Sequence, residues 1–286
     1  MPESSLPRRW LQWLFIATTV FAAAALSGCA TPAGGVGDTG GIPGASAGGP
    51  APDDIVTESD EPVARKRARV RLSLAVGYFD QGQTTIALDE VKQALAIDPE
   101  FADAFNLRGL VYMRLNDQRL AEDSFRRALA LKPSDGSVLH NYAWLMCQQQ
   151  RYPEAISAFN QALANPTYGN RSKSLMARGL CEERAGQLAE AERSLAQSYE
   201  LDAGNPVTAY NLSRLLFLRG ENTRAQFYIR RLNNSELANA ESFWLGIKVE
   251  RRMDNREAMQ QLAEQLRRRF PQSSELRAYE RGNFNE

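Results

Sequence analysis

Alanine returns along this chain at a fixed step of 34 residues: Ala87, Ala121 and Ala155 form one series, Ala94, Ala128 and Ala162 another. Phe125 to Phe159 and Pro99 to Pro133 keep the same interval. After a slip of two residues the register resumes at Ala191 and Ala225, and it ends one residue short at Ala258. Such self-similarity restricts the fold severely, because each unit is too small to bury its apolar face alone and must stack on its neighbours. Small residues at fixed places let two helix backbones approach closely, and an aromatic beside them fills the space that remains.

A period of about 34 with proline at the unit's end is the tetratricopeptide signature. It predicts an all-α superhelical solenoid of about six helix-turn-helix repeats over residues 65–275, with a polar tail at 276–286 that caps the last open face or frays. The repeats run 68–101, 102–135, 136–171, 172–205, 206–238 and 239–275. The second is the most complete, with Phe105, Gly109, Tyr112, Ala121, Phe125, Ala128 and Pro133. The third carries two extra residues around the turn-rich string Asn165-Pro166-Thr167-Tyr168-Gly169-Asn170. No window alternates as a strand would.

The residues before the array read as an address and a tether. Arg8 and Arg9 precede an apolar run from Trp10 to Leu26, shorter than the ~20 residues a spanning helix prefers. It ends in Leu26-Ser27-Gly28-Cys29, which resembles a bacterial lipoprotein signal at 1–28, with Cys29 taking an S-diacylglycerol and an N-acyl chain. The competing reading is an uncleaved membrane helix. Ala30 behind the cysteine points, as in lipoproteins generally, to the outer membrane. Residues 29–64 are rich in Gly, Ala, Pro and Ser, too poor in apolar surface to offset their ordering entropy. They would form a flexible tether reaching on the order of 30 Å.

Composition excludes several classes of function. Lys plus Arg equals Asp plus Glu at 34 each, so no net field argues for nucleic acid or an anionic membrane surface. A single histidine, His140, leaves little for a metal or acid–base site. No nucleophile–base pair and no Gly-rich phosphate loop stands out, so the chain reads as a binding protein rather than an enzyme. It needs no cofactor beyond the acyl chains on Cys29. The triple arginine Arg267-Arg268-Arg269 ends a helix, where cations are favoured. The run Arg65-Lys66-Arg67-Arg69-Arg71 starts one, and reads either as a solvated face or as a contact for acidic headgroups or a partner. Once Cys29 is committed to lipid, Cys147 and Cys181 remain, at neighbouring places in the first helices of repeats three and four. In an oxidising compartment they could pair if their Cα atoms lie within about 7 Å; the alternative is two small buried thiols.

In peptide-holding members of the tetratricopeptide superfamily, fixed positions of each first helix face a concave groove. By that likeness the groove here would be lined by Leu72, Val76 and Phe79, then Asn106, Leu110 and Met113, then His140 and Trp144. The strip is more apolar than a charged clamp for two carboxylates and suits an amphipathic helix or an extended hydrophobic segment, with asparagine holding backbone groups; the competing reading makes some of these residues core between repeats.

Several strings go beyond the generic repeat: His140-Asn141-Tyr142-Ala143-Trp144-Leu145-Met146-Cys147-Gln148-Gln149, Arg178-Gly179-Leu180-Cys181, Glu241-Ser242-Phe243-Trp244-Leu245-Gly246-Ile247-Lys248 and Leu266-Arg267-Arg268-Arg269-Phe270-Pro271. Together they resemble the PilF/PilW family of type IV pilus biogenesis lipoproteins, across nearly all of residues 65–280. The resemblance implies a pilotin: a lipid-anchored protein on the inner leaflet of the outer membrane, facing the periplasm. Its partner would be the pilus secretin (PilQ-like), which it helps to localise and multimerise. The long Gly-Ala-Pro tether departs from the family, where the array starts closer to the acylated cysteine. A rival reading is a periplasmic scaffold lipoprotein that recruits cell-wall or outer-membrane assembly factors.

Overall fold

The computed structural model describes residues 61–284, and every regular element among them is a helix. The expected leader at 1–28, the acylated Cys29 and the tether up to residue 60 lie outside the described residues. Twelve helices form six successive hairpins: α1 (Val63–Asp80) with α2 (Thr84–Ile97), α3 (Ala102–Arg114) with α4 (Gln118–Leu131), α5 (Gly136–Gln148) with α6 (Tyr152–Ala164), α7 (Arg171–Arg184) with α8 (Leu188–Leu201), α9 (Pro206–Leu218) with α10 (Asn222–Asn233), and α11 (Ala240–Arg252) with α12 (Arg256–Arg269). A short α13 (Ser274–Glu280) follows. The array begins at Val63 rather than 65. The expected break between array and tail at 275/276 falls inside α13, whose Leu276 and Ala278 are buried with Phe243, Ile247 and Leu266. The polar tail therefore supplies a helix that covers the last open face.

Each hairpin turns in the same way. One residue with positive φ follows the first helix: Gly82, Asn116, Gln150, Gly186, Gly220 and Asp254 in the six repeats. The next amide reaches back to the fifth carbonyl before it, as in Gln83 to Tyr78, Arg151 to Met146 and Asn255 to Glu250, each at 2.9 Å. This is the Schellman closure, which satisfies carbonyls that a helix end otherwise leaves open. Glycine accepts the left-handed conformation without penalty, and three of the six turns do without it.

Packing inside each hairpin follows the small-residue register. Ala121, Phe125 and Ala128 are fully buried, as are Ala155, Phe159 and Ala162. At Gly109 a Cβ would overlap the Phe125 ring, so α3 and α4 approach only because that side chain is missing. The two extra residues of repeat three have a structural use. Tyr168 turns inward against Gly136, where an added Cβ would sit 2.6 Å from its ring, and its hydroxyl lies 2.8 Å from Ser174 Oγ.

Across repeats the backbones of the odd-numbered helices approach one another in sequence, α1 with α3 through α9 with α11, while those of the even-numbered helices stay further apart and meet only through long side chains, as where Arg224 of α10 pairs with Glu192 of α8 at 2.8 Å. The odd helices are thus the crowded inner layer of a curved stack, and the even helices the splayed outer one. A disulfide between Cys147 and Cys181 joins α5 to α7 within that inner layer, with Cα atoms 5.8 Å apart.

Candidate partner-binding groove

The inner layer brings the N-terminal strip together along α1, α3 and α5, though less apolar than its sequence suggests. Leu72 is half-buried against Phe101 and the small residues of repeat one, and Val76 stands exposed at 42%. Phe79 lies beneath the Arg114 guanidinium, 3.6 Å from the ring centroid, and the same arginine donates to the Phe79 carbonyl. Leu110 and Met113 pack on the cluster of Phe105 and Phe125. Asn106 is not free: its Oδ1 accepts from Asn141 Nδ2 at 3.0 Å, tying α3 to α5. Trp144 is half-buried with the Arg184 guanidinium 5.1 Å above its ring.

His140 departs from the expected groove position. It is only 7% exposed, with Nδ1 2.8 Å from Ser174 Oγ and its ring edge-on to Phe159. Burial, and secondarily the charge of Lys173, depress its pKa to about 4. The imidazole is therefore a neutral link in a buried chain that runs from Tyr168 through Ser174, and it presents nothing to a ligand. Ser174 follows His140 by 34 residues, the same interval that separates the two bridged cysteines, and packing of α5 on α7 brings both pairs together.

The arginine-over-aromatic pairing recurs. Arg252 of α11 lies 5.0 Å over Phe217 of α9, repeating Arg114 over Phe79 and Arg184 over Trp144 in successive inner helices. Each pair joins neighbouring repeats and leaves a planar cation on the inner surface. Such a cation binds carboxylates and backbone carbonyls as readily as it covers a ring. Together with the asparagine pair, the surface is polar above and aromatic beneath, which corrects the apolar description. Sequence reading missed these arginines because each is defined by its partner one repeat away.

The basic run of α1 also resolves. Arg65 pairs with Asp98, Arg69 with Glu61, and Arg71 with Glu90 at 3.0 Å. Asp98, beside the Arg65 guanidinium, is held below its usual carboxylate range, chiefly by that hydrogen bond. Much of the run thus closes the first repeat on itself. Two buried carboxylates play a similar part further on. Glu250, 1% exposed, accepts from Gln226 Nε2 at 2.9 Å, Arg230 Nε at 2.7 Å and Asn255 Nδ2 at 2.9 Å. Glu182 accepts from Ser194, and burial raises its pKa.

Models described as TPR repeat or tetratricopeptide repeat match residues 77–116, 102–135 and 147–206. The type IV pilus assembly protein PilF of Pseudomonas aeruginosa is 29% identical over 209 residues, covering 73% of this chain and 83% of that one. The crystal structure of PilW, described as a widely conserved type IV pilus biogenesis factor, superposes with a TM-score of 0.69 at 29% identity, over 75% of this chain and 98% of that one. The structure of Pseudomonas aeruginosa PilF gives a TM-score of 0.68 at 29% identity, over 76% and 99%.

Proposed function

Because the chain is a PilF/PilW-like tetratricopeptide-repeat protein of type IV pilus biogenesis, we propose that it is an outer-membrane pilotin that binds the pilus secretin and promotes its localisation and multimerisation. Cys29 carries the lipid that anchors it on the periplasmic side. A single acyl chain holds only marginally at ~0.8 kcal/mol per buried methylene, whereas several together hold firmly. The inner face of α1, α3, α5 and the end of α7 grips a secretin segment, with Leu72, Val76, Leu110 and Met113 offering apolar contact and Arg114 and Arg184 offering donors. The protein acts by holding and delivering; no bond is made or broken.

The observation that carries this reading is the uninterrupted inner layer of odd-numbered helices in a chain of this family. That layer presents side chains from successive repeats to a single extended partner, which is how solenoids bind. The leader and Cys29 add the means of delivery.

Deletion of the gene, scored for heat-stable secretin multimers in outer-membrane fractions, tests the role; normal multimers in the deletion strain would eliminate it. A cell-wall defect with intact secretin rings would instead favour the scaffold reading. In pull-downs, Leu72→Asp and Trp144→Asp are each expected to reduce secretin capture by about tenfold or more, as loss of a central contact does, with far-UV helicity unchanged. Radiolabelled palmitate entering the wild type but not Cys29→Ala checks the anchor.

A further inference from the structure

Repeat four shows what a half-buried arginine in this fold surrounds itself with. Arg178 of α7 donates Nε to Ser194 Oγ at 3.0 Å and Nη1 to Asn160 Oδ1 at 2.7 Å, and a carboxylate oxygen of Glu182, one turn on, lies 3.4 Å away. Two repeats earlier, allowing for the two extra residues of repeat three, Arg108 and Ser124 stand at the places of Arg178 and Ser194. The serine contact is kept, with Arg108 Nε donating to Ser124 Oγ at 3.0 Å. The acid and the amide are replaced, since Tyr112 stands at the place of Glu182 and Lys92 at that of Asn160. The guanidinium of Arg108 lies 4.7 Å from the Phe105 ring centroid, and that of Arg127, on α4, lies 5.9 Å from the same centroid. Among the described residues neither guanidinium has a carboxylate partner. The nearby Asp123 is paired with Arg119 at 3.4 Å. Burial holds Arg108 below its ordinary value, with Tyr112 and Asp123 acting weakly against it.

A cation drawn out of water without an anion is costly, and two of them over one ring also repel each other. A carboxylate placed between them relieves both, because each guanidinium offers it a fork of parallel donors. The fold itself selects that chemistry, since a carboxylate is what repeat four sets beside the equivalent arginine. At about 100° per residue, Arg108 lies on the side of α3 away from Asn106, Leu110 and Met113, so the pair belongs to the outer surface of repeat two. Leu95 and Leu131, half-buried in the cluster that holds Phe105, provide apolar surface beside it. We propose that Phe105, Arg108 and Arg127 form a second binding site, on the outer side of repeat two, which takes the carboxylate of an acidic residue flanked by apolar residues in a partner protein. The carboxylate bridges the two guanidinium groups, and the flanking side chains lie along Leu95 and Leu131. The inference rests on the chain being a partner-binding array, but names a site separate from the inner strip on α1, α3 and α5.

Nuclear magnetic resonance of the purified protein labelled with nitrogen-15 at arginine Nε tests it. The probes are two capped peptides, Ser-Leu-Glu-Leu-Ser and Ser-Leu-Gln-Leu-Ser, and inorganic phosphate. The Arg108 and Arg127 signals should both move, saturably, with the glutamate peptide, which should bind at least about tenfold more tightly than the glutamine peptide. Arg127→Gln, at an exposed position, should erase most of that preference and leave the glutamine peptide as it was. Tyr112→Glu should abolish it altogether, because it restores the internal acid that repeat four already has. Circular dichroism checks that both variants remain folded. Leu72→Asp should leave the peptide affinities unchanged, so that loss of secretin capture through the inner strip is read separately. Equal affinity for the two peptides, or a preference that survives both Arg127→Gln and Tyr112→Glu, would overturn the site. Phosphate that moves the two signals as tightly as the glutamate peptide would overturn its assignment to a protein carboxylate.

Discussion

Gln150 adopts a left-handed backbone, φ 63°, at a turn where repeats one, four and five use glycine. An L-residue with a long side chain gives up about 1–2 kcal/mol there, part of which glycine returns through its freer unfolded state. Gln150→Gly should therefore stabilise the protein by about 0.5–1 kcal/mol in urea unfolding, with the slope of the transition unchanged. His140 makes a second case at this scale. Its pKa falls from the ordinary 6.5 to about 4 on folding, so between those values the unfolded chain binds more protons than the folded one. Stability should rise with pH through that window, by at most about 1.4 kcal/mol per unit, and this contribution should be flat above it. Denaturation measured from pH 4 to 7 should show the slope diminish in a His140→Gln variant, if allowance is made for the carboxylates that titrate in the lower part of the same range. Histidine was visible in the sequence; its burial was not, because the hydroxyl that receives it comes from the next repeat.

Helices α5 and α7 are held by more than packing. The Cys147–Cys181 bridge spans 34 residues, a loop for which chain entropy gives about 4 kcal/mol of stabilisation, with measured values commonly about 2–4. Substituting both cysteines by alanine, which keeps the buried sites apolar, should lower stability by about 2–4 kcal/mol in non-reducing denaturant titrations. Addition of dithiothreitol to the wild type should reproduce the loss, and the double variant should not respond to it. The neighbouring places of the two cysteines in the first helices of adjacent repeats could be read from the sequence, and the structure supplies the proximity. Other ties between elements were hidden in the sequence: Glu122 receives Arg151 of the next hairpin at 3.1 Å, and Glu250 is shared by Gln226, Arg230 and Asn255. A charged residue on a helix reads as solvent-facing until the neighbour that buries it is known.

Stability in a stacked array is close to a sum of repeats and their interfaces, so damage at one end should stay there. Truncation before Ser273 removes α13 and exposes the apolar faces of Phe243, Trp244 and Ile247. Hydrogen exchange should then accelerate in α11 and α12 while α3 to α8 keep their protection; uniform loss along the array would show tighter coupling than nearest-neighbour contacts allow. The 34-residue interval was enough to set the hairpins, their number and their register, because those depend on side chains a helical turn apart and on a repeated, local steric fit. The inner layer followed in outline, since Leu72, Val76, Leu110, Met113 and Trp144 lie on the odd-numbered helices that form it. What the spacing could not contain was the company each residue keeps. Arg114 above Phe79, Tyr168 folded under Gly136, and His140 enclosed by Ser174 and Phe159 all join residues from different repeats or from outside the period. Their positions follow from how one hairpin rotates on the next, and that rotation is fixed by the sum of many contacts rather than by any residue in the string.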